Sequence, residues 1–192
     1  MESGFGVNSP DKVAGKVGSF ADQVYPICAL SNFAKAFNQD EAWQMALRTA
    51  QTICRHQGPL GQWWWHYDSS TGDRVGRYAV YSVHQHAMGP MALFAIGEGA
   101  GVDFSQPISK GLSWLSGHNE LRMNFLDESQ PVIWRSIYLG RNRAYYDTAL
   151  SLLGVRTDRN HSTHLKIRYE CRPYELGWLL YAFAGREGSL LG

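Results

Sequence analysis

The sequence predicts an all-α fold of helical hairpins, about three units of a partial (α/α) toroid or barrel. Three observations predict it. Apolar side chains recur at helical spacing through most of the chain. Helices that are apolar on almost every side alternate with amphipathic ones, the pattern of an inner and an outer layer. The plan returns at roughly 57 residues, a long polar loop leading into each apolar helix.

Taken in order, residues 1–18 are Gly-rich and polar and read as a flexible arm ahead of a single domain, 19–192. From Ser19 one face stays apolar or small through Val24, Ile27, Cys28, Leu30, Ser31, Phe33 and Ala34. Tyr25-Pro26 suits a first helical turn, where a missing N–H costs nothing. Asp40 caps a second, amphipathic helix through Trp43, Leu47, Ala50 and Ile53, ending near Gln57-Gly58. A loop with a turn signal at 69–73 leads to a third helix over 80–97, apolar on almost every side, and a short turn opens a fourth over 104–117. Residues 124–134 read as loop, interrupted by Pro131, and 144–153 as a helix ended by Gly154. Residues 165–169 alternate like a short strand, and Arg172-Pro173-Tyr174-Glu175 opens a final apolar helix.

At 192 residues the chain is one domain's worth and can bury a sizeable core. A formal charge of +1 argues against a nucleic-acid partner and against a polybasic membrane anchor. No apolar run approaches the roughly 18 residues of a transmembrane span, and the first twenty residues lack a signal peptide's apolar core, so a cytoplasmic protein is expected. Three cysteines without metal-type spacing read as free thiols. Seven Trp and ten Tyr are the anomaly, above all the run Trp63-Trp64-Trp65 in a loop, which suggests a binding surface or a staple between helices.

The spacing Gln57-x-x-x-Gly61-x-Trp63 resembles the QW motif of the terpenoid cyclases, the squalene-cyclase-like toroids. In that family the Gln caps a helix end and the Trp stacks beside it to tie neighbouring helices together. The resemblance implies a toroid of about five or six hairpins. A chain with about three is then a fragment, a partial barrel completed by a homodimer partner or another chain, or a barrel that is small and open. The family's acidic motif, Asp-x-Asp-Asp before Thr-Ala, finds only Asp147, Thr148 and Ala149 here, with Tyr146 in the proton donor's place. A tyrosine with a pKa near ~10 does not replace that acid.

Three apolar helices open on polar clusters: Tyr25-Pro26, residues 81–86, and residues 172–175. In an α/α barrel their N-termini meet at one rim, where partial positive charge and unpaired N–H groups suit an oxygen-rich ligand. The catalytic candidates are Asp68, Tyr81, His84 and Glu175; the substrate-binding candidates are Trp63, Trp64, Trp65, His66, Gln85, Arg172 and Tyr174. Each has a plain structural alternative, a satisfied core pair for Tyr81 and His84 or an ion pair for Arg172 and Glu175. Neither cofactor nor metal is expected, since His84-x-His86 diverges on a helix and His161-x-x-His164 lies in loop. Stacking aromatics with Arg, His, Tyr and carboxylates point to an enzyme acting on a carbohydrate or uronate-type substrate as hydrolase, lyase or epimerase, with Asp68 and Glu175 as the carboxyl pair. The alternatives are a terpenoid-cyclase-like protein that binds or cyclises an isoprenoid, and a non-catalytic helical scaffold.

Overall fold

The computed structural model describes residues 17–140, 149–150, 153 and 164–186. Strand β1 (Val17–Ser19) leads into α1 (Ala21–Phe37) and α2 (Asp40–Arg55). Strand β2 (His66–Asp68) pairs back on β1, and β3 (Val80–Tyr81) precedes a single π-helical turn, His84–Met88. Helices α3 (Gly89–Ala100) and α4 (Ser105–Leu115) follow. Strands β4 (Leu126–Asp127) and β5 (Val132–Ile133) form a hairpin. Strands β6 (Ser136–Leu139) and β7 (Leu165–Arg168) complete an antiparallel sheet of order β3-β6-β7, and α5 (Pro173–Phe183) closes the series. Helix α1 packs on α2 and α3, and α5 packs on the π turn and α3.

The all-α expectation is overturned. Among the described residues five helices stand beside three small antiparallel sheets, and with helix at 51% and strand at 16% of them the fold is mixed α/β. The physical reason is strand length. These strands run for two to four residues, too short for a period of two to stand out against helical spacing. Val80 and Tyr81, read as the start of a helix, are a strand paired with Ile137 and Ser136. Residues 124–134, read as loop, hold β4 and β5; the strand read at 165–169 is β7. Val17 and Gly18, read as arm, pair with Asp68 and Tyr67. The helix expected over 144–153 lies almost wholly outside the described residues, as do Asp147, Thr148 and His161.

Helix starts also shift. Helix α1 begins a turn before Pro26, which therefore sits inside it. Pro90 explains the π turn. It has no N–H to donate, and its ring would meet the carbonyl four residues back, so the helix widens by one residue ahead of it and Gly89 N–H donates to His84 O. On α5, Leu176, Leu179 and Phe183 pack against the core while Leu180 and Tyr181 stay exposed; on α1, Ile27 is buried and Phe33 and Phe37 are exposed.

The core centres on Trp63, which is fully buried and stacks on Phe20 with ring centroids 5.7 Å apart. A Cβ added at Gly89 on α3 or at Gly111 on α4 would stand 2.9 Å from its Nε1, so both helices reach the indole only as glycine. Gln57 Nε2 donates to Gly61 O (3.1 Å) and to Pro107 O (2.9 Å), which ties the end of α2 to the first turns of α4. Gly111→Ala should therefore cost about 1–3 kcal/mol through overpacking against an indole that cannot retreat. Urea unfolding checks this, and wild-type stability in Gly111→Ala contradicts the packing described.

Candidate functional site

Arg135 is the hub. Its carbonyl accepts from both Ser82 N–H (2.8 Å) and Ser82 Oγ (3.0 Å), and its own N–H donates to Arg168 O (3.2 Å). Those bonds set its side chain between β3 and the segment leading into α5. There Nη1 donates to Glu170 Oε1 at 2.8 Å, Nε stands 3.8 Å from Glu175 Oε1, and the guanidinium lies 5.3 Å from the Tyr81 ring centroid. Arg172, ahead of Pro173 at the start of α5, donates to the same Glu170 oxygen at 2.6 Å. Glu175, in the first turn of α5, is 2% exposed and accepts from the Tyr174 hydroxyl at 3.3 Å.

The two carboxylates around this guanidinium are driven in opposite directions. Burial pushes the Glu175 carboxyl up, against the pull of Arg135, the Tyr174 hydroxyl and Arg172. The hydrogen bonds from Arg172 and then Arg135 hold Glu170 below the ordinary glutamate value. A pair of acids separated by environment is the arrangement that acid–base chemistry uses.

An aromatic cluster adjoins Arg135 through Tyr81. Trp65 lies 4.8 Å from Tyr81 and stacks on His84 at 5.3 Å with planes 2° apart, and His66 meets the edge of Trp65 at 5.7 Å. Tyr81 and His84 are 5.5 Å apart. His84 is fully buried with Nδ1 3.3 Å from Trp63 O; a carbonyl can only accept, so Nδ1 carries the proton and Nε2 is left without a partner. Burial lowers His84 to about 3, the bond to Trp63 opposing it, and burial lowers His86 to about 4.

The expected site residues thus divide. Tyr81, His84, Trp65 and His66 come together, and Tyr81 reaches Arg172, Tyr174 and Glu175 through Arg135. Trp63 and Trp64 are buried in the core, the latter donating to His56 O at 2.9 Å, and Gln85 spends its amide on Trp63 N–H and Tyr81 O. Asp68 closes a turn. Burial would raise its carboxyl, but the bonds from Ser70 and Thr71 outweigh that and hold it low. Tyr25, inside α1 and not at its start, lies beside Trp178 of α5 at 6.4 Å.

Arg135 and Glu170 were not singled out from sequence. The signal was there: Arg135 is the one charge within the run 131–139, where a lone charge in an apolar strand must find a partner. A separate cleft of about 510 Å³ opens between α1, α3 and α5 beside Lys35, Trp43 and Glu98; none of the expected site residues lines it. Among the described residues no group of three or more His, Cys, Asp or Glu could hold a metal, and no helix is long and apolar enough to cross a membrane. No family model, curated protein or solved structure matches the chain, so nothing there bears on the resemblance to terpenoid cyclases.

The two buried imidazoles make stability depend on pH. Unfolded, each binds a proton near 6.5; folded, they resist protonation down to about 3 and 4. The unfolded state therefore holds more protons across that window, and their contribution is complete above about 6.5 and lost as pH falls, at up to ~1.4 kcal/mol per pH unit for each. Urea unfolding at pH 7.5, 5.5 and 4.5 should show a shallower pH slope in His86→Leu than in the wild type. Equal slopes contradict a neutral buried His86.

Proposed function

We propose that the chain is an enzyme of carbohydrate or uronate chemistry in which Glu175 is the proton donor. The observation that carries this reading is the opposed pair around Arg135, with Glu175 raised by burial and Glu170 held low by two guanidinium groups. Glu175 is too buried to reach a substrate itself, but the Tyr174 hydroxyl stands 3.3 Å from it on a side chain that is half exposed. In the proposed hydrolytic step Glu175 is protonated and the hydrogen bond to Tyr174 reverses. The Tyr174 proton passes to the leaving oxygen as its bond to the anomeric carbon breaks, the Glu175 proton passes to Tyr174 Oη, and water adds to that carbon and gives its spare proton to solvent. The hydroxyl is restored, and the charge left on Glu175 lies beside Arg135, which Glu170 keeps in place. Trp65 and Tyr81, both partly exposed, offer the flat apolar faces on which a sugar ring stacks.

This assignment replaces Asp68 with Glu170 as the second carboxylate, because Asp68 is spent on its turn. A panel of aryl glycosides and aryl uronides tests it. Turnover should fall about 100-fold or more in Glu175→Gln. It should also fall in Tyr174→Phe, which keeps the ring but breaks the relay. Because the acid form works, wild-type turnover should decline as pH rises through the raised Glu175 value. Full activity in Glu175→Gln, or no turnover of any member of the panel, overturns the reading.

A further inference from the structure

The register of the β3-β6-β7 sheet places Tyr81, Ser136 and Arg168 abreast on one face, with Tyr138 and Lys166 abreast beside them. The opposite face carries Ile137, Leu139, Leu165 and Ile167 into the core. On the first face Ser136 is buried, and the open part beyond it is basic and aromatic. Arg168 and Lys166 are exposed, and neither has an ion-pair partner among the described residues. Arg168 lies 5.1 Å over the Tyr138 ring, which holds guanidinium and ring as one unit. Beyond it, Tyr169 meets the partly buried Trp134 edge-on at 5.1 Å and is itself exposed.

The same strands lead directly to the Arg135 site. Tyr81, at the head of this face, lies 5.3 Å from the Arg135 guanidinium, so the face starts where the proposed chemistry takes place. Two cations without ion-pair partners, about 7 Å apart along one strand, with the Tyr138 ring across from Lys166 and under Arg168, match a ligand that alternates flat rings with carboxylates. A nucleic acid fits less well, because a formal charge of +1 does not supply the broad basic footprint it needs.

We propose that this sheet face binds the uronate units of an acidic oligosaccharide running outward from the Arg135 site. Arg168 and Lys166 pair with successive carboxylates, and Tyr138 stacks on a sugar ring. The inference rests on the carbohydrate reading above and narrows its substrate class. It also assigns sugar recognition to residues remote from the proton donor.

Isothermal titration of the full chain with α-1,4-linked tetragalacturonate tests it, with the methyl-esterified tetramer and an eight-residue thymidine strand as comparisons. The wild type should bind the free acid at least tenfold more tightly than the ester, and binding should weaken as salt rises. Lys166→Gln with Arg168→Gln should weaken binding about tenfold or more, and Tyr138→Ala should weaken it too, each with wild-type circular dichroism and melting temperature. No binding of the tetramer, equal binding by the double variant, or tighter binding of the thymidine strand each overturns the proposal. The two readings fail separately. Turnover of aryl uronides with tetramer binding unchanged in the double variant removes only the sheet face, whereas tetramer binding by wild type and Glu175→Gln without any turnover removes only the proton-donor assignment.

Discussion

The indole of Trp63 fixes where everything else can stand. It is stacked on Phe20 and closed in by Gly89 and Gly111, so α3, α4 and the approach to α1 are all set by one rigid side chain. Its backbone is as constrained as its ring. The N–H donates to Gln85 Oε1 and the carbonyl accepts from His84 Nδ1, which docks the loop onto the π turn. Trp65, two residues on, is thereby brought over His84 and against Tyr81. The packing that stabilises the core is thus also what assembles the aromatic side of the site.

The polar side of the site depends on Arg135. A guanidinium this deeply placed is costly unless it is paired, and Glu170 and Glu175 both pair with it unequally. Glu170 makes the close bond and shares its oxygen with Arg172, so its charge is stabilised. Glu175 has only a 3.8 Å approach and a neutral hydroxyl, too little to offset burial, so its carboxyl is pushed above the ordinary glutamate value. Burial on one side, and the bonds from Arg172 and Arg135 on the other, thereby separate two chemically identical acids. The separation follows from backbone register, since Ser82 and Arg168 hold Arg135 at the height that makes one contact short and the other long.

Helices were legible in the sequence because their apolar spacing runs for three turns or more: α1, α2, α4 and α5 stand within a few residues of where periodicity puts them. Gln57 bridges to Pro107 on α4. The short strands were not legible, and with them went the fold class. The site was half legible for the same reason. Tyr81, His84, Tyr174 and Glu175 announce themselves as polar groups opening apolar helices, whereas Arg135 and Glu170 gain meaning only once β6 lies beside β7. Trp63 and Trp64 misled by composition, because a run of tryptophans looks like a surface until the glycines opposite it are seen to make room for it. Asp68 misled in the same way; a carboxylate followed by Ser69-Ser70-Thr71 is placed to close its own turn.

The central claim is that burial raises Glu175 while the bonds from Arg172 and Arg135 lower Glu170. Carbon-13 NMR titration of the glutamate side-chain carboxyls, assigned through Glu170→Gln and Glu175→Gln, measures it directly. The account predicts that Glu175 titrates above the ordinary glutamate value of about 4.3 and Glu170 below it. Two carboxyls that titrate together, or in the reverse order, would contradict it.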